Sequence, residues 1–236
     1  MELHQHQVKD QKSIVKETYN FVPVIDLLKS MNNQDHLVVF DVDDVLITPS
    51  GDDDLRHPYR HKLLQSILNR INPQQIELLK SNVFLNTRQV LVESSITDIF
   101  AHLTSYKIPA MALTAVNKRF LDANCKGRPM LKSGIIFKSG LDKGLVLEYI
   151  FKKYNYYPKT VIFVDDLIEN VESLQQTCFK LNIDFYGFHY KAASLIPLSN
   201  IDEDLEKLRF EILEKEFIWL SHKKLKTKKY FSRLIN

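Results

Sequence analysis

The chain has 236 residues, of which 44% are hydrophobic, 26% charged and 11% aromatic, a composition that excludes a disordered or fibrous protein and fits one globular domain with an insertion. No apolar run approaches the roughly 18–20 residues of a membrane-spanning helix, and the polar N-terminus lacks the apolar core of a secretory signal. We therefore expect a cytoplasmic protein without a transmembrane segment, although the sequence also allows export by a route that needs no classical signal.

The net charge of +3 is distributed unevenly, because residues 217–236 contain six basic side chains and no acidic one. Such a tail can contact nucleic acid or anionic lipid, but a solvated C-terminus is the more common explanation, and we expect no specific nucleic-acid partner. The two cysteines, Cys125 and Cys178, are too few for a disulfide framework and lack the paired spacing of zinc sites. We expect both thiols to be buried and reduced.

Short apolar runs rich in β-branched and aromatic residues alternate along the chain with longer segments of helical period. This alternation predicts parallel strands connected by crossover helices, and hence a three-layer α/β sandwich around a parallel Rossmann-like sheet. The predicted strands span residues 37–42, 109–114, 134–138, 160–166 and 183–188, and the predicted connecting helices span 94–106, 117–126, 141–154 and 168–180.

About forty residues more than a minimal crossover requires lie between the first two core strands, which predicts a small helical insertion there. The whole chain, 1–236, is predicted to be one domain with a core over residues 36–50 and 93–190, the insertion or cap over 51–92, an N-terminal helix over 8–31 and a C-terminal helix over 200–222 packed on the core, and a basic tail over 223–236. Pro23 is expected to kink or break the N-terminal helix.

Two acidic residues end the first core strand, in the sequence VVFDVDDV. Side chains two residues apart point the same way in a strand, so Asp41 and Asp43 are expected to share a pocket. Their mutual repulsion raises the cost of ionising both, which a divalent cation or a retained proton can relieve. Because an isolated DxD at a strand end is as often a solvated turn, the interpretation depends on what the other strands contribute.

Other strand ends and loops contribute matching polar groups. One predicted strand ends in Thr114, another ends in Asp165 and Asp166 with Asn170 shortly after, and Lys143 begins the helix that leads into the Asp165 strand. The carboxyl ends of parallel strands meet at one edge of a sheet. Carboxylates, a hydroxyl group and an ammonium group are therefore predicted to converge there.

The order of these residues resembles the four motifs of the haloacid dehalogenase (HAD) superfamily, most of whose members are Mg²⁺-dependent phosphatases. The corresponding segments are DVDDV around Asp41, MALTA around Thr114, GLDKG around Lys143 and VDDLIEN around Asp165. The resemblance covers residues 36–190. More narrowly, FDVDDVLI, ALTA and the stretch from Gly134 onward look like a bacterial branch of that superfamily catalogued only as a domain of unknown function.

The resemblance implies a Mg²⁺-dependent phosphatase that hydrolyses a phosphomonoester, either a small molecule or part of a macromolecule. Asp41 would attack phosphorus and become an aspartyl phosphate, while Asp43 would protonate the leaving oxygen and then deprotonate the attacking water. Mg²⁺ would be bound by Asp41, Asp166, waters and the backbone carbonyl of Asp43. Asp165 would be a further ligand or lie next to one.

The same resemblance implies supporting roles for three polar residues. Thr114 would hydrogen-bond a phosphoryl oxygen. Lys143 would offset the negative charge of the nucleophile and of the phosphoryl group. Asn170 would orient the metal-binding loop.

Two departures from the family pattern affect the predicted pocket. Val45 stands where many members have Thr, which removes one hydroxyl group from the loop. After Thr114 the usual Ala-Arg is Ala-Val, so an arginine contact made there in relatives must come from Lys118 or Arg119 or be absent.

Three other functions fit parts of the pattern. A catalytically idle module of the same fold could bind a protein partner or a membrane surface through its basic tail, and the missing arginine leaves this alternative open. A phosphoacceptor receiver domain also gathers Asp, Thr and Lys at one sheet edge, but its Lys comes last, whereas Lys143 precedes Asp165. The DxD motif of glycosyltransferases explains neither Thr114 nor Lys143.

The insertion contains two further candidates. The run Gly51-Asp52-Asp53-Asp54 could form a second metal site, although a polar turn is the favoured interpretation. The residues after it could overhang the pocket and contact a substrate, or could be an ordinary surface mixture: Arg56, His57, Tyr59, Arg60 and His61.

Overall fold

The computed structural model describes residues 11–31, 35–114, 135–137 and 141–227. The strands of its main sheet are β1 (Ser13–Thr18), β2 (His36–Phe40), β5 (Ala110–Thr114), β6 (Ile135–Phe137), β7 (Thr160–Asp165) and β8 (Asp184–Tyr190), and a separate antiparallel pair consists of β3 (Ile47–Pro49) and β4 (Gln89–Leu91). The helices are α1 (Val22–Ser30), α2 (Pro58–Leu68), α3 (Pro73–Asn86), α4 (Ile96–Ser105), α5 (Lys143–Tyr154), α6 (Ile168–Lys180) and α7 (Glu203–Glu216). The helix predicted over 117–126 lies outside the described residues.

The main sheet has the strand order β1-β8-β7-β2-β5-β6, and all neighbouring strands are parallel. Strand β2 is buried along its whole length because helices cover both faces. Helices α1 and α4 pack with Val38 and Phe40 on one face, whereas α5 and α6 pack with Leu37 and Val39 on the other. Since alternate residues of a strand point to opposite faces, one short strand contributes to both layers. The predicted three-layer α/β sandwich is confirmed.

The prediction of one N-terminal helix over residues 8–31 is wrong. Residues 13–18 instead form β1, which pairs in parallel with β8. Ile14 and Val15 are β-branched and favour an extended backbone. The edge of β8 provides backbone hydrogen-bond partners for this extended segment. Helix α1 begins after a short turn, and Pro23 lies in its first turn, where proline is favoured, rather than kinking a longer helix.

The predicted helical insertion is present, since α2 and α3 lie between the strands β3 and β4. The C-terminal helix α7, which was predicted to pack on the core, packs mainly on this insertion. The three helices share a hydrophobic cluster distinct from those of the sheet, consisting of Ile67, Leu79, Val83, Phe210, Leu213 and Trp219. We call α2, α3 and α7 the helical lobe.

The helix predicted over residues 200–222 is too long. Helix α7 begins after Asp202, whose side chain accepts a hydrogen bond from the Leu205 amide at 3.0 Å. It ends where Phe217 adopts a φ of 54°, in the left-handed region that terminates helices. Helical backbone resumes over residues 222–227, and the rest of the basic tail lies outside the described residues.

The sheet topology favours a binding site at the carboxyl end of β2. The chain leaves β2 for β5 on one side and later enters β7 on the other side. Connections that diverge in this way leave a crevice beyond the strand ends, where ligands bind in open parallel sheets. Within the part of the chain that the structure describes, no helix has the length and apolar character that crossing a membrane requires.

Candidate functional site

Three neighbouring strands place predicted site residues at one edge of the sheet. Asp41 directly follows β2, Thr114 is the last residue of β5, and Asp165 is the last residue of β7. The backbone N–H of Asp41 donates to the carbonyl of Val164 at 2.9 Å. This bond continues the pairing of β2 with β7 by one residue and brings Asp41 next to Asp165.

Lys143 joins two of these carboxylates. Its Nζ lies 2.7 Å from Asp41 Oδ1 and 2.5 Å from Asp165 Oδ2, and its side chain is only 1% exposed. The first residue of a helix is an unfavourable place for a positive charge, and a buried ammonium group is costly without partners. Both costs are offset here by the two carboxylates, so the position of Lys143 depends on them.

Asp165 uses both carboxylate oxygens within the protein. While Oδ2 faces Lys143, Oδ1 accepts hydrogen bonds from Asn170 Nδ2 and from the backbone N–H of Leu167, each at 2.9 Å. Asn170 therefore fixes the orientation of a fully buried carboxylate. The neighbouring Asp166 is only partly buried, and its carboxylate makes no ion pair with a described lysine or arginine.

The three carboxylates of Asp41, Asp165 and Asp166 form a cluster that fits a divalent cation. One oxygen of each lies within 4.8 Å of the others. Opposite ligands of an octahedral Mg²⁺ are about 4.2 Å apart, since each bond is about 2.1 Å long, so small side-chain shifts would bring all three oxygens to one ion. An all-oxygen donor set is the type that hard cations prefer.

Burial makes this cluster costly to ionise. Desolvation raises the pKa of Asp41 to about 7, against the opposing attraction of Lys143. Desolvation and the charge of Asp165 raise the pKa of Asp166 to about 6. Several carboxylates thus lie close together where water is largely excluded. A bound cation would relieve the repulsion between their ionised forms.

Asp43 lies in the turn after β2 and is not part of the cluster formed by Asp41, Asp165 and Asp166. Its Oδ2 accepts a hydrogen bond from Thr114 Oγ1 at 3.2 Å, and burial raises its pKa. The turn is closed by Asp44, whose φ of 59° is in the left-handed region and whose amide donates to the carbonyl of Ile47 at 2.7 Å. Val45 is fully buried in the core, so this departure from the family pattern contributes packing.

We call Asp41, Asp43, Asp165, Asp166 and Lys143 the carboxylate site. The structure brings these five predicted residues together, and the predicted residues Thr114 and Asn170 hydrogen-bond two of the carboxylates. Lys118 and Arg119, the candidates for a phosphate-binding cation, lie outside the described residues.

Of the basic residues in the insertion, Arg56 lies at the rim of the site, next to Asp44 in the turn after β2. Its Nη1 lies 3.6 Å from Asp44 Oδ1, and its Nη2 forms an ion pair of 2.6 Å with Asp54. Arg60, one helical turn later, is fully buried and turned away from the site. His57 caps helix α2, because its Nδ1 accepts a hydrogen bond from the backbone N–H of Tyr59 at 3.2 Å.

The acidic run at residues 52–54 supplies partners for arginines. Asp53 lies 3.1 Å from Arg209 Nη2, Arg60 Nη2 lies 3.0 Å from Glu206 Oε1, and Arg209 Nη1 lies 3.4 Å from Glu206 Oε2. We call these four buried residues the arginine network. Sequence reasoning missed Glu206 and Arg209 because charges three residues apart on a helix normally mark a solvated face.

Comparison with known proteins gives a family but no reaction. A family model described as "Protein of unknown function (DUF2608)" matches residues 15–125 and 117–226. A protein of Chlamydia pneumoniae that carries the provisional name of outer membrane protein is 23% identical over 187 residues, which cover 68% of this chain and 71% of the relative. Among solved structures, a haloacid dehalogenase-like family hydrolase from Streptococcus pneumoniae is similar at a TM-score of 0.40 and 13% identity, over 66% of this chain and 95% of that chain.

Proposed function

The chain belongs to the DUF2608 family of proteins of unknown function, and we propose from its site that it is a Mg²⁺-dependent phosphatase of the HAD type that hydrolyses a phosphomonoester. The observation that carries this proposal is the cluster of Asp41, Asp165 and Asp166 oxygens within 4.8 Å, with Lys143 Nζ 2.7 Å from Asp41. Phosphoryl transfer needs a nucleophile beside groups that neutralise phosphoryl charge, and this arrangement supplies both.

In the first step, a carboxylate oxygen of Asp41 bonds to phosphorus while the bond from phosphorus to the leaving oxygen breaks. Asp43 gives its carboxyl proton to that oxygen; burial favours the protonated form that this role requires. Thr114 holds the Asp43 carboxyl in place through the hydrogen bond of 3.2 Å. The product of this step is an alcohol and an aspartyl phosphate.

In the second step, Asp43 takes a proton from water as the water oxygen bonds to phosphorus. The bond between phosphorus and Asp41 then breaks, which releases inorganic phosphate and restores the carboxylate. Lys143 stays beside Asp41 in both steps and offsets the negative charge on it. A Mg²⁺ ion held by Asp41, Asp165 and Asp166 would neutralise the negative charge of the phosphoryl group and of the carboxylates.

The test is hydrolysis of a simple aryl phosphate by the purified full chain. We expect turnover that requires Mg²⁺, that is lost on chelation, and that falls by at least about 1,000-fold in Asp41→Asn, because that variant lacks the nucleophile. The matched control is Asp26→Asn, a change at an exposed position of α1, which should keep wild-type activity. Full turnover in Asp41→Asn would reject the covalent mechanism.

Failure of the wild-type protein itself has a different meaning. A chain that hydrolyses neither the aryl phosphate nor a panel of phosphorylated metabolites and phosphopeptides, and whose melting temperature does not respond to Mg²⁺, would support the alternative of an idle binding module.

We also propose that the protein acts in the cytoplasm, although the name of the Chlamydia relative points elsewhere. Cell fractionation tests that location directly.

A further inference from the structure

Arg56 places a positive charge at the outer rim of the carboxylate site. Its guanidinium lies beside Asp44 and Asp54, with Asp166 nearby. The hydrogen bonds to Asp54, together with the charges of the other two carboxylates, raise its pKa. The group is therefore a permanent cation in acidic surroundings.

The guanidinium has donors that the protein does not use. Nε and Nη2 donate to the Asp54 carboxylate at 2.6–3.0 Å, and Nη1 donates to the carbonyl of Ala193 at 2.6 Å. The 3.6 Å approach of Nη1 to Asp44 is too long for a hydrogen bond. Since a guanidinium has five N–H donors, one hydrogen on Nη1 and one on Nη2 have no acceptor among the described residues. The side chain is 30% exposed, so the guanidinium lies where a ligand can approach it.

The arginine network holds the loop that carries Arg56. Nη1 of Arg60 donates to the carbonyls of Gly51 at 3.0 Å and Asp54 at 3.1 Å. Arg60 is itself fixed by Glu206 of α7. The guanidinium of Arg56 is thus held in position before any ligand binds, which lowers the entropy lost on binding.

Lys143 within the carboxylate site and Arg56 at its rim lie at different depths, since their side chains are 1% and 30% exposed. Lys143 contacts Asp41, the proposed nucleophile, and would face the phosphoryl group. Arg56 contacts Asp44, in the turn beyond it. A group bound by Arg56 would therefore belong to the leaving part of the substrate. The acidic surroundings repel a dianion more strongly than a monoanion, which favours a carboxylate over a second phosphate.

We propose that Arg56 binds a carboxylate on the leaving group, so that the substrates of this enzyme are phosphomonoesters of hydroxycarboxylic acids. This inference rests on the proposed phosphatase function. It assigns to Arg56 the recognition of the leaving group, separate from the chemistry at phosphorus.

The test compares 3-phosphoglycerate with glycerol 1-phosphate, which differ by a carboxylate in place of a hydroxymethyl group. Each is measured as a substrate and as a competitive inhibitor of aryl phosphate hydrolysis, with wild type, Arg56→Gln, and Arg70→Ala as the control. Arg70 is an exposed arginine of the helical lobe. We expect wild type to prefer the carboxylate compound by about 10- to 100-fold, the range of a charge-assisted hydrogen bond. Arg56→Gln should reduce this ratio to about one, and Arg70→Ala should leave it unchanged.

The single variant leaves Asp54, which is 1% exposed, without its partner and can disturb the loop. The double variant Asp54→Asn/Arg56→Gln removes both charges, and it should show the same loss of preference with a wild-type melting temperature. The inference would be overturned if wild type hydrolysed and bound the two compounds equally well. It would also be overturned if the preference for 3-phosphoglycerate survived in both variants. Neither result would affect the phosphatase proposal, which fails only if wild-type turnover is absent or independent of Asp41.

Discussion

The carboxylate site and the arginine network are both clusters of buried charges, but only the arginine network is balanced. The network pairs two arginines of the helical lobe with Glu206 of the lobe and with Asp53 of the preceding loop. The guanidinium of Arg209 also stacks on Trp219, 4.7 Å from the ring centroid. The carboxylate site places the single ammonium group of Lys143 among four acids.

This difference separates a structural role from a functional one. A buried group of charges that sums to zero can be stable without a ligand, because each desolvated charge has a partner. An excess of buried carboxylates is instead partly protonated or stabilised by a cation. The raised pKa values of Asp41 and Asp166 follow from this excess. The imbalance of the carboxylate site therefore favours cation binding.

The largest expected effect comes from removing the one positive charge of the carboxylate site. Lys143→Met leaves Asp41 and Asp165 buried without a partner, so we expect turnover of aryl phosphate to fall by at least about 1,000-fold. The free energy of unfolding should fall by about 3–5 kcal/mol without metal and recover in part with Mg²⁺. Denaturant titrations with chelator and with Mg²⁺ measure this recovery.

The control for that variant is Lys29→Met, which removes an exposed lysine from the last turn of α1 and should change neither quantity. A Lys143→Met protein as stable as wild type in chelator would contradict the view that its ammonium group compensates the buried acids.

Breaking the arginine network should cost stability in a way that Mg²⁺ does not repair. Glu206→Gln removes the carboxylate that pairs with Arg60, whereas Arg209 keeps its ion pair with Asp53. We expect the free energy of unfolding to fall by about 3 kcal/mol. Denaturant titrations should give the same loss with chelator and with Mg²⁺. Glu203→Gln, at an exposed position of the same helix, is the matched control. Recovery in Mg²⁺ would show that the two clusters are coupled.

The acid excess also predicts a pH dependence. The pKa of Asp41 is raised to about 7 in the folded protein, so between about pH 4 and pH 7 the folded state holds protons that the unfolded state has lost. Metal-free protein should therefore lose stability as the pH rises through this range, on the order of 1–3 kcal/mol. Mg²⁺ replaces those protons, so its stabilising effect should be larger at pH 8 than at pH 5. Urea titrations at both pH values, with and without Mg²⁺, test the sign, and an unchanged Mg²⁺ effect would contradict it.

The sheet was predictable because its strands carry their own signal. Strands β2 and β7 are buried on both faces and appear as continuous apolar runs, so their ends, and the acids that follow them, could be located from the sequence. Strand β1 could not, because the segment SIVKET is only partly buried and its extended form depends on pairing with β8.

The position of each charge in the insertion was less predictable. Arg56 and Arg60 are four residues apart in similar surroundings, yet one reaches the rim of the site and the other is fully buried. What separates them is α7, distant along the chain, whose Glu206 attracts Arg60 into the lobe. A contact of this kind depends on tertiary packing, which local sequence patterns do not specify.

The smallest expected effect sharpens the comparison by testing a pair at the surface of the helical lobe. Arg70 Nη2 lies 2.8 Å from Glu214 Oε1, shorter than the ion pairs of the arginine network, but the two side chains are 55% and 36% exposed. Water screens such a pair and stays available to each partner, so Arg70→Ala should cost only about 0.2–1 kcal/mol in a denaturant titration. Glu214→Ala should cost the same. A loss as large as that of Glu206→Gln would mean that distance, and not burial, sets the strength of ion pairs in this lobe.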